Sequence, residues 1–129
     1  MRSIRILIVD DSAVMRQIAI TALHSRLGVD SITTAEAANG KDALTWLANN
    51  EPVDVILMDW NMPELSGLEC VKAIRSKGDA TPIVMVTTEG ESSQVVAAIQ
   101  AGANHYVLKP FNAEALCERI LAVLAMDNP

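Results

Sequence analysis

The segment 55–59 reads Val-Ile-Leu-Met-Asp, four apolar residues followed by an aspartate, and its pattern recurs along the chain. Three other apolar runs also end in polar side chains: residues 6–9 before Asp10 and Asp11, residues 83–86 before Thr87 and Thr88, and residues 106–108 before Lys109. Short apolar runs separated by helical patterns indicate buried strands of a parallel sheet. Ligands of such sheets bind outside the carboxyl ends of the strands. The sequence therefore predicts that these polar side chains meet in one site.

The segments between the runs have helical spacing. In the first of them the apolar residues that recur at this spacing are Val14, Met15, Ile18, Ala22 and Leu23. Residues 31–37 are rich in β-branched side chains and predict a weaker strand at the edge of the sheet, closed by a turn at Asn39-Gly40. The chain as a whole alternates strand and helix five times, which predicts an α/β fold with a doubly wound parallel sheet in a single domain over residues 1–129.

The composition excludes several classes of function. The net charge is −6 over 129 residues, and this argues against nucleic-acid binding, which needs clustered lysine and arginine. Cys70 and Cys117 lack metal-ligand spacing, so we expect reduced structural thiols and a cytoplasmic protein. The apolar run near the N-terminus is too short for a signal sequence or a membrane span, so no membrane association is expected.

The acidic residues after the first and third runs predict a metal site. Asp10, Asp11 and Asp59 would repel one another in a single cleft unless a cation neutralised them. Carboxylate oxygens are hard ligands, which favours Mg²⁺, with Mn²⁺ as a substitute.

The same cleft has the groups that phosphoryl transfer requires. Metal and Lys109 together would neutralise the charge on phosphoryl oxygens, and Thr87 could donate a hydrogen bond to them. Asp59 could then act as the nucleophile and form an aspartyl phosphate. Each of these residues alone is more often a turn or surface residue, but their conjunction at four strand ends favours the catalytic interpretation.

At this point the chain resembles the receiver domain of two-component response regulators over nearly its whole length. The residues that match are Asp10-Asp11-Ser12, Asp59, Met62-Pro63, Ser66-Gly67, Thr87-Thr88, Ala101-Gly102-Ala103 and Lys109-Pro110-Phe111. The resemblance implies a flavodoxin-like (βα)5 fold with strand order 2-1-3-4-5.

The resemblance also implies a role for each residue of the site. Asp59 would accept a phosphoryl group from the phosphohistidine of a sensor histidine kinase. Asp11, Asp59 and the backbone carbonyl of Asn61 would bind Mg²⁺ directly, with Asp10 assisting through water. Thr87 and Lys109 would hold the phosphoryl oxygens, and Lys109-Pro110 would be a cis peptide.

Some details are similar to the stand-alone chemotaxis regulators of this family, namely Asp59-Trp60-Asn61-Met62-Pro63, Glu89, Tyr106 and Lys109-Pro110-Phe111. This implies that Asn61 and Glu89 influence the lifetime of the phosphate, and that Thr87 and Tyr106 form a switch. The expected protein is a monomer that controls motility by binding a downstream protein, with the flagellar motor switch as a candidate target. It would be a signalling switch with its own phosphorylation and dephosphorylation chemistry and not a conventional enzyme.

Three alternatives remain at the level of sequence. The chain could be a receiver cut from a larger regulator with a DNA-binding or methylesterase output domain. An aspartate-nucleophile phosphatase would have Asp-x-Asp after the first strand, where this chain has Asp10-Asp11-Ser12. A flavin carrier would need a glycine- and hydroxyl-rich phosphate loop there, and two carboxylates would repel the flavin phosphate.

Overall fold

The computed structural model describes residues 3–27, 31–87 and 92–127. Within these residues five strands alternate with five helices along the chain. The elements are β1 (Ser3–Val9), α1 (Ala13–Arg26), β2 (Ser31–Ala37), α2 (Gly40–Asn49), β3 (Val55–Asp59), α3 (Gly67–Ser76), β4 (Ile83–Thr87), α4 (Ser92–Ala101), β5 (His105–Leu108) and α5 (Ala113–Asp127). The predicted fivefold alternation is confirmed.

The five described strands form one parallel sheet in the order β2-β1-β3-β4-β5. This confirms both the expected topology and the position of β2 at the edge. Because all the strands run in the same direction, the polar residues that follow β1, β3, β4 and β5 lie along one edge of the sheet. The fold therefore brings these polar residues to one edge of the sheet, as the apolar runs predict.

The core has two layers, one on each face of the sheet. Alternate strand residues such as Ile6, Leu57 and Val84 contact α1 and α5 on one face. Their neighbours, such as Leu7 and Met58, contact helices α2, α3 and α4 on the other face. Both faces of the central strands are therefore buried, which explains their continuous apolar runs.

Side chains at the helix starts fix where α1, α2 and α3 begin. Ser66 and Glu69 form the predicted capping box at α3. The chain bends between the end of β2 at Ala37 and the start of α2, next to the predicted Asn39-Gly40, and Asn39 is the N-cap of α2, where its side chain accepts a hydrogen bond from the backbone amide of Asp42. Asparagine and glycine suit a helix start as well as a turn, so the sequence pair is ambiguous.

The helix predicted from the first apolar spacing is confirmed as α1, but not all of these apolar residues face the core. Val14 is 69% exposed and Ile18 is 46% exposed, whereas Ala19, Ala22 and Leu23 are buried. At 3.6 residues per turn, Ile18 and Val14 point about 100° and 140° away from Ala19. The helix contacts the sheet along the line of Ala19 and Leu23, and Val14 and Ile18 face outward.

Cys70 and Cys117 are both free and buried. Burial raises the pKa of the Cys70 thiol to about 11, so this thiol is uncharged at neutral pH. Among the described residues, every helix is too short or too polar to cross a bilayer.

The first residue of α3 packs directly against the end of β3. The Gly67 amide donates to the Trp60 carbonyl at 3.0 Å, and a Cβ atom on Gly67 would lie 2.2 Å from the carbonyl oxygen of Asp59. Only a residue without a side chain permits this approach.

We therefore expect Gly67→Ala to lower the free energy of unfolding by about 3 kcal/mol, because a backbone oxygen has little freedom to move away. The measurement is urea denaturation followed by circular dichroism. Gly78→Ala is the matched control, since a Cβ there meets open space and φ is +81°, which costs only about 1 kcal/mol. Equal losses in the two variants would contradict the packing argument.

Candidate functional site

Three carboxylates meet at the carboxyl edge of the sheet. Asp10, Asp11 and Asp59 each offer an oxygen, and these oxygens all lie within 4.8 Å of one another. Asp10 and Asp59 are buried, whereas Asp11 is exposed. The structure thus brings together the three predicted metal-binding carboxylates, in an arrangement that could hold a metal ion.

Backbone hydrogen bonds continue the sheet one residue past three of its strands. Asp10 donates its amide to Ala37 at 3.1 Å, Trp60 donates to Val86 at 2.9 Å, and Lys109 donates to Thr87 at 2.7 Å. These bonds hold the site residues in the register of the strands that precede them. The positions of the side chains therefore follow from the rigid sheet and not from loop packing.

The ammonium group of Lys109 lies between two of the carboxylates. Its Nζ atom is 3.1 Å from Oδ2 of Asp10 and 3.2 Å from Oδ1 of Asp59. Burial alone would lower the pKa of Lys109, but the hydrogen bonds and charges of Asp10 and Asp59 outweigh it and the pKa is raised. The lysine stays protonated, and its peptide bond to Pro110 is cis, as expected.

Both carboxylate oxygens of Asp10 have hydrogen-bond partners. Oδ1 accepts from the backbone amide of Ser12 at 2.9 Å, and Oδ2 accepts from Lys109. The backbone carbonyl of Asp10 accepts from Nη1 of Arg16 at 2.7 Å. Asp10 is thus held on three sides, while Asp11 beside it faces solvent.

The pKa of Asp59 is raised, and desolvation by burial is the largest cause. The negative charge of Asp10 raises it further, Lys109 lowers it, and Asp11 adds a smaller upward effect. The single ammonium group does not offset burial and repulsion together. Burial, more than repulsion between the carboxylates, therefore keeps the pKa of Asp59 above its ordinary value.

Thr87 is the last residue of β4 and is buried. Its hydroxyl donates to Oε1 of Gln94 on α4 at 3.3 Å. Tyr106 is half-buried on the adjacent strand, where it pairs with Met85 and packs near the α3 and α4 face. The predicted switch residues therefore lie on neighbouring strands, and α4 contacts the first of them.

The remaining predicted residues lie in the loop that follows β3 or outside the described residues. Asn61 is exposed in the loop after β3, two positions beyond Asp59. Trp60 is half-buried. Thr88 and Glu89 lie outside the described residues, so the role predicted for Glu89 stays a prediction.

Two residues at the site were not predicted from the sequence. Gln94 is one of them, and nothing in its helical pattern distinguishes it from a surface residue. Arg16 is the other, and its position in α1 does not reveal its partners, because they lie on the end of β1 and on β2.

Comparison with known proteins agrees with this geometry. Residues 6–121 match the model of the response regulator receiver domain family. A chemotaxis protein CheY homolog of Campylobacter jejuni is 46% identical over 96% of this chain and 95% of its own length. Chemotaxis protein CheY1 of Helicobacter pylori is 41% identical over 96% of this chain and 99% of its own length.

A solved structure agrees as well. The chemotaxis protein CheY4 of Vibrio cholerae superposes with a TM-score of 0.84 at 35% identity, covering 95% of this chain and 99% of that one. Sequence, fold and site geometry thus lead to the same family, and the chain belongs to the response regulator receiver domains.

Proposed function

We propose that the chain is a phosphorylation-activated response regulator of chemotaxis, with Asp59 as the phosphoryl acceptor. The observation that carries this proposal is the environment of Asp59. Its buried carboxylate contacts Lys109 at 3.2 Å and lies within 4.8 Å of ligand atoms from Asp10 and Asp11. A nucleophile, a fixed cation and a set of metal ligands therefore occupy one edge of the sheet.

The charges of the cluster fit a divalent cation. Three carboxylates face one ammonium group, which leaves about two negative charges if all three ionise. Because the available ligands are carboxylate oxygens, Mg²⁺ is the expected ion and Mn²⁺ its substitute. Asp11, Asp59 and the backbone carbonyl of Asn61 would hold it, and Asp10 would assist through water. When bound, the ion would neutralise charge on the phosphoryl oxygens.

The chain's own residues account for the transfer of the phosphoryl group. A carboxylate oxygen of Asp59 attacks the phosphorus atom of the kinase phosphohistidine, and the P–N bond to the imidazole breaks. The ammonium group of Lys109 stabilises the transferred oxygens, and the hydroxyl of Thr87 donates a hydrogen bond to one of them. Later attack of water on the same phosphorus returns Asp59 to the free carboxylate. Asn61 and Glu89 are proposed to set the rate of that hydrolysis.

The partners proposed for the chain follow from its relatives. The Campylobacter jejuni and Helicobacter pylori homologues are named as chemotaxis proteins, which supports a chemotaxis sensor kinase as phosphodonor and a motility protein such as the flagellar motor switch as target. The receiver family match favours this function over the phosphatase and flavin-carrier alternatives. The single-domain organisation, the cytoplasmic location and the monomeric state stay predictions.

The output is proposed to depend on Thr87 and Tyr106. The Thr87 hydroxyl, which contacts Gln94 of α4 before phosphorylation, would turn toward the phosphoryl oxygens. Tyr106 on the adjacent strand would then move inward, and the surface formed by α4, β5 and α5 would change shape. Differential binding of a target to the two states makes this an allosteric switch.

Asp59→Asn is expected to abolish labelling by acetyl phosphate in the presence of Mg²⁺, because an amide oxygen is a poor nucleophile. The measurement is the mass of the intact protein after incubation. Asp42→Asn is the matched control, since Asp42 is exposed on α2, and it should be labelled like the parent. Undiminished acid-stable labelling of the Asp59→Asn variant would contradict the assignment.

The burial of Asp59, together with the charge of Asp10, also predicts a pH-dependent effect on stability. The folded-state pKa of Asp59 lies above its ordinary value of 3.8, so ionisation of Asp59 opposes folding as the pH rises through the interval between the two pKa values. In metal-free buffer, Asp59→Asn should therefore raise the melting temperature by a few degrees at pH 7.

That gain should vanish below the ordinary pKa of 3.8, where Asp59 is protonated in both the folded and the unfolded state. Thermal melts at several pH values provide the measurement. Addition of Mg²⁺ should stabilise the parent more than the variant. A gain that is constant across the pH range would show that relief of charge is not its cause.

Thr87→Ala is expected to accept phosphate from acetyl phosphate but to lose most of the movement of Tyr106, because the hydroxyl that couples the two is missing. The readout is the shift of the Tyr106 ring resonances in solution NMR on phosphorylation. Thr45→Ala, on the exposed side of α2, should behave like the parent. A full Tyr106 shift in the Thr87→Ala variant would make Thr87 a phosphate ligand only.

A further inference from the structure

Arg16 makes two short contacts that no catalytic role in the proposed function uses. Its Nε donates to Oε1 of Glu36 at 2.9 Å, and its Nη1 donates to the backbone carbonyl of Asp10 at 2.7 Å. The side chain of Arg16 is only 16% exposed, whereas that of Glu36 is 46% exposed. The guanidinium therefore joins α1, the end of β1 and the edge strand β2.

The carbonyl that Arg16 contacts belongs to the peptide unit between Asp10 and Asp11. A trans peptide unit is planar, so fixing its oxygen fixes the direction in which the chain enters Asp11. Immediately after Asp11, the Ser12 amide donates to the Asp10 carboxylate. The backbone on both sides of Asp11 is thus restrained, although the Asp11 side chain itself is exposed.

Glu36 fixes the guanidinium in turn. It lies on β2 opposite Ile8 of β1. The next residue of β2, Ala37, accepts a hydrogen bond from the Asp10 amide, so β1 and β2 remain paired up to the peptide that Arg16 contacts. Because the guanidinium is a rigid planar fork, orienting Nε toward Glu36 also directs Nη1. Glu36 on the edge strand therefore fixes the orientation of the Arg16 guanidinium.

From this geometry we propose that Arg16, oriented by Glu36, is a positioning residue that holds the Asp10–Asp11 peptide in the conformation that binds Mg²⁺. The proposal rests on the proposed function, because it assigns Mg²⁺ to the carboxylate cluster. Arg16 touches neither the phosphoryl group nor the reacting carboxylate, and it acts only through the backbone of Asp10.

Arg16 could affect Mg²⁺ binding through its positive charge or by positioning the ligands, and the two roles predict opposite changes in Mg²⁺ affinity when Arg16 is removed. If Arg16 acted only as a positive charge near the cluster, its removal would strengthen the binding of a cation. If Arg16 positions the ligands, its removal weakens binding, by about tenfold or more as for other groups that orient metal ligands. The sign of the change therefore separates the two roles.

The test titrates the metal-free protein with Mg²⁺ alone and follows both the heat of binding and the emission of Trp60, which adjoins Asp59. Arg16→Met should weaken the Mg²⁺ affinity about tenfold. Arg16→Lys should weaken it to a similar extent, because an ammonium keeps the charge but cannot reproduce the planar fork. Glu36→Ala should also weaken binding, whereas Glu36→Gln, which still offers an oxygen to Nε, should bind within about twofold of the parent.

Arg5→Met is the matched control. Arg5 also forms a surface ion pair, with Glu51 at 2.9 Å, but it lies on β1 away from the carboxylate edge. Its loss should leave the Mg²⁺ affinity within about twofold of the parent value, as is usual for surface substitutions. Circular dichroism melts establish that each variant is folded. Arg16→Lys and the comparison of Glu36→Gln with Glu36→Ala decide the question if Arg16→Met does not fold.

A second readout separates positioning from chemistry. At saturating Mg²⁺ the rate of labelling by acetyl phosphate should return to within about threefold of the parent rate, because the reacting groups are intact. Mg²⁺ binding as tight as or tighter than that of the parent in Arg16→Lys would overturn the proposal. A loss of affinity in Glu36→Gln as large as that in Glu36→Ala would also overturn it, because charge alone would then explain the effect of Glu36. A parent that binds no Mg²⁺ would overturn it together with the proposed function, whereas a parent that binds Mg²⁺ without labelling of Asp59 would contradict the proposed function alone.

Discussion

The ammonium group of Lys109 and the carboxylates around it are the interaction on which the rest of the site depends. Two buried aspartates and one exposed aspartate share a small volume, and each would raise the proton affinity of the others. Lys109 contacts both buried carboxylates, yet the pKa of Asp59 remains raised. Lys109 therefore offsets only part of the effects of burial and repulsion, and the three carboxylates could hold a further cation.

The sheet makes this arrangement possible because it fixes backbone positions before any side chain is considered. Parallel strands in the observed order place the ends of β1, β3, β4 and β5 next to one another. Backbone bonds then extend the sheet through Asp10, Trp60 and Lys109, and Gly67 lets α3 approach the carbonyl of Asp59. Repelling groups can be held together in this way because the main chain, and not the groups themselves, determines their separation.

Much of the fold and of the candidate site could be predicted from the sequence. Each apolar run indicates a buried strand, and the residue after the run indicates which side chain lies at the carboxyl edge of the sheet. The three carboxylates, Thr87 and Lys109 were found by that rule. The contacts of Arg16 and Gln94 could not be found, because they join side chains to groups on other elements whose distance the local pattern does not encode. Val14 and Ile18 show the same limit, since helical spacing identifies an apolar residue without giving the side of the helix that meets the sheet.

The distances along the sequence between the charged partners have a consequence for how the protein matures. The bonds from Lys109 span 99 residues to Asp10 and 50 residues to Asp59, and the lysine follows β5, the last strand of the sheet. A chain that has paired only β1, β2 and β3 holds its aspartates without their counter-charge. Such an intermediate lacks the group that we propose to stabilise the transferred oxygens. Under the proposed function, the chain would become able to accept a phosphoryl group only after the last strand has docked.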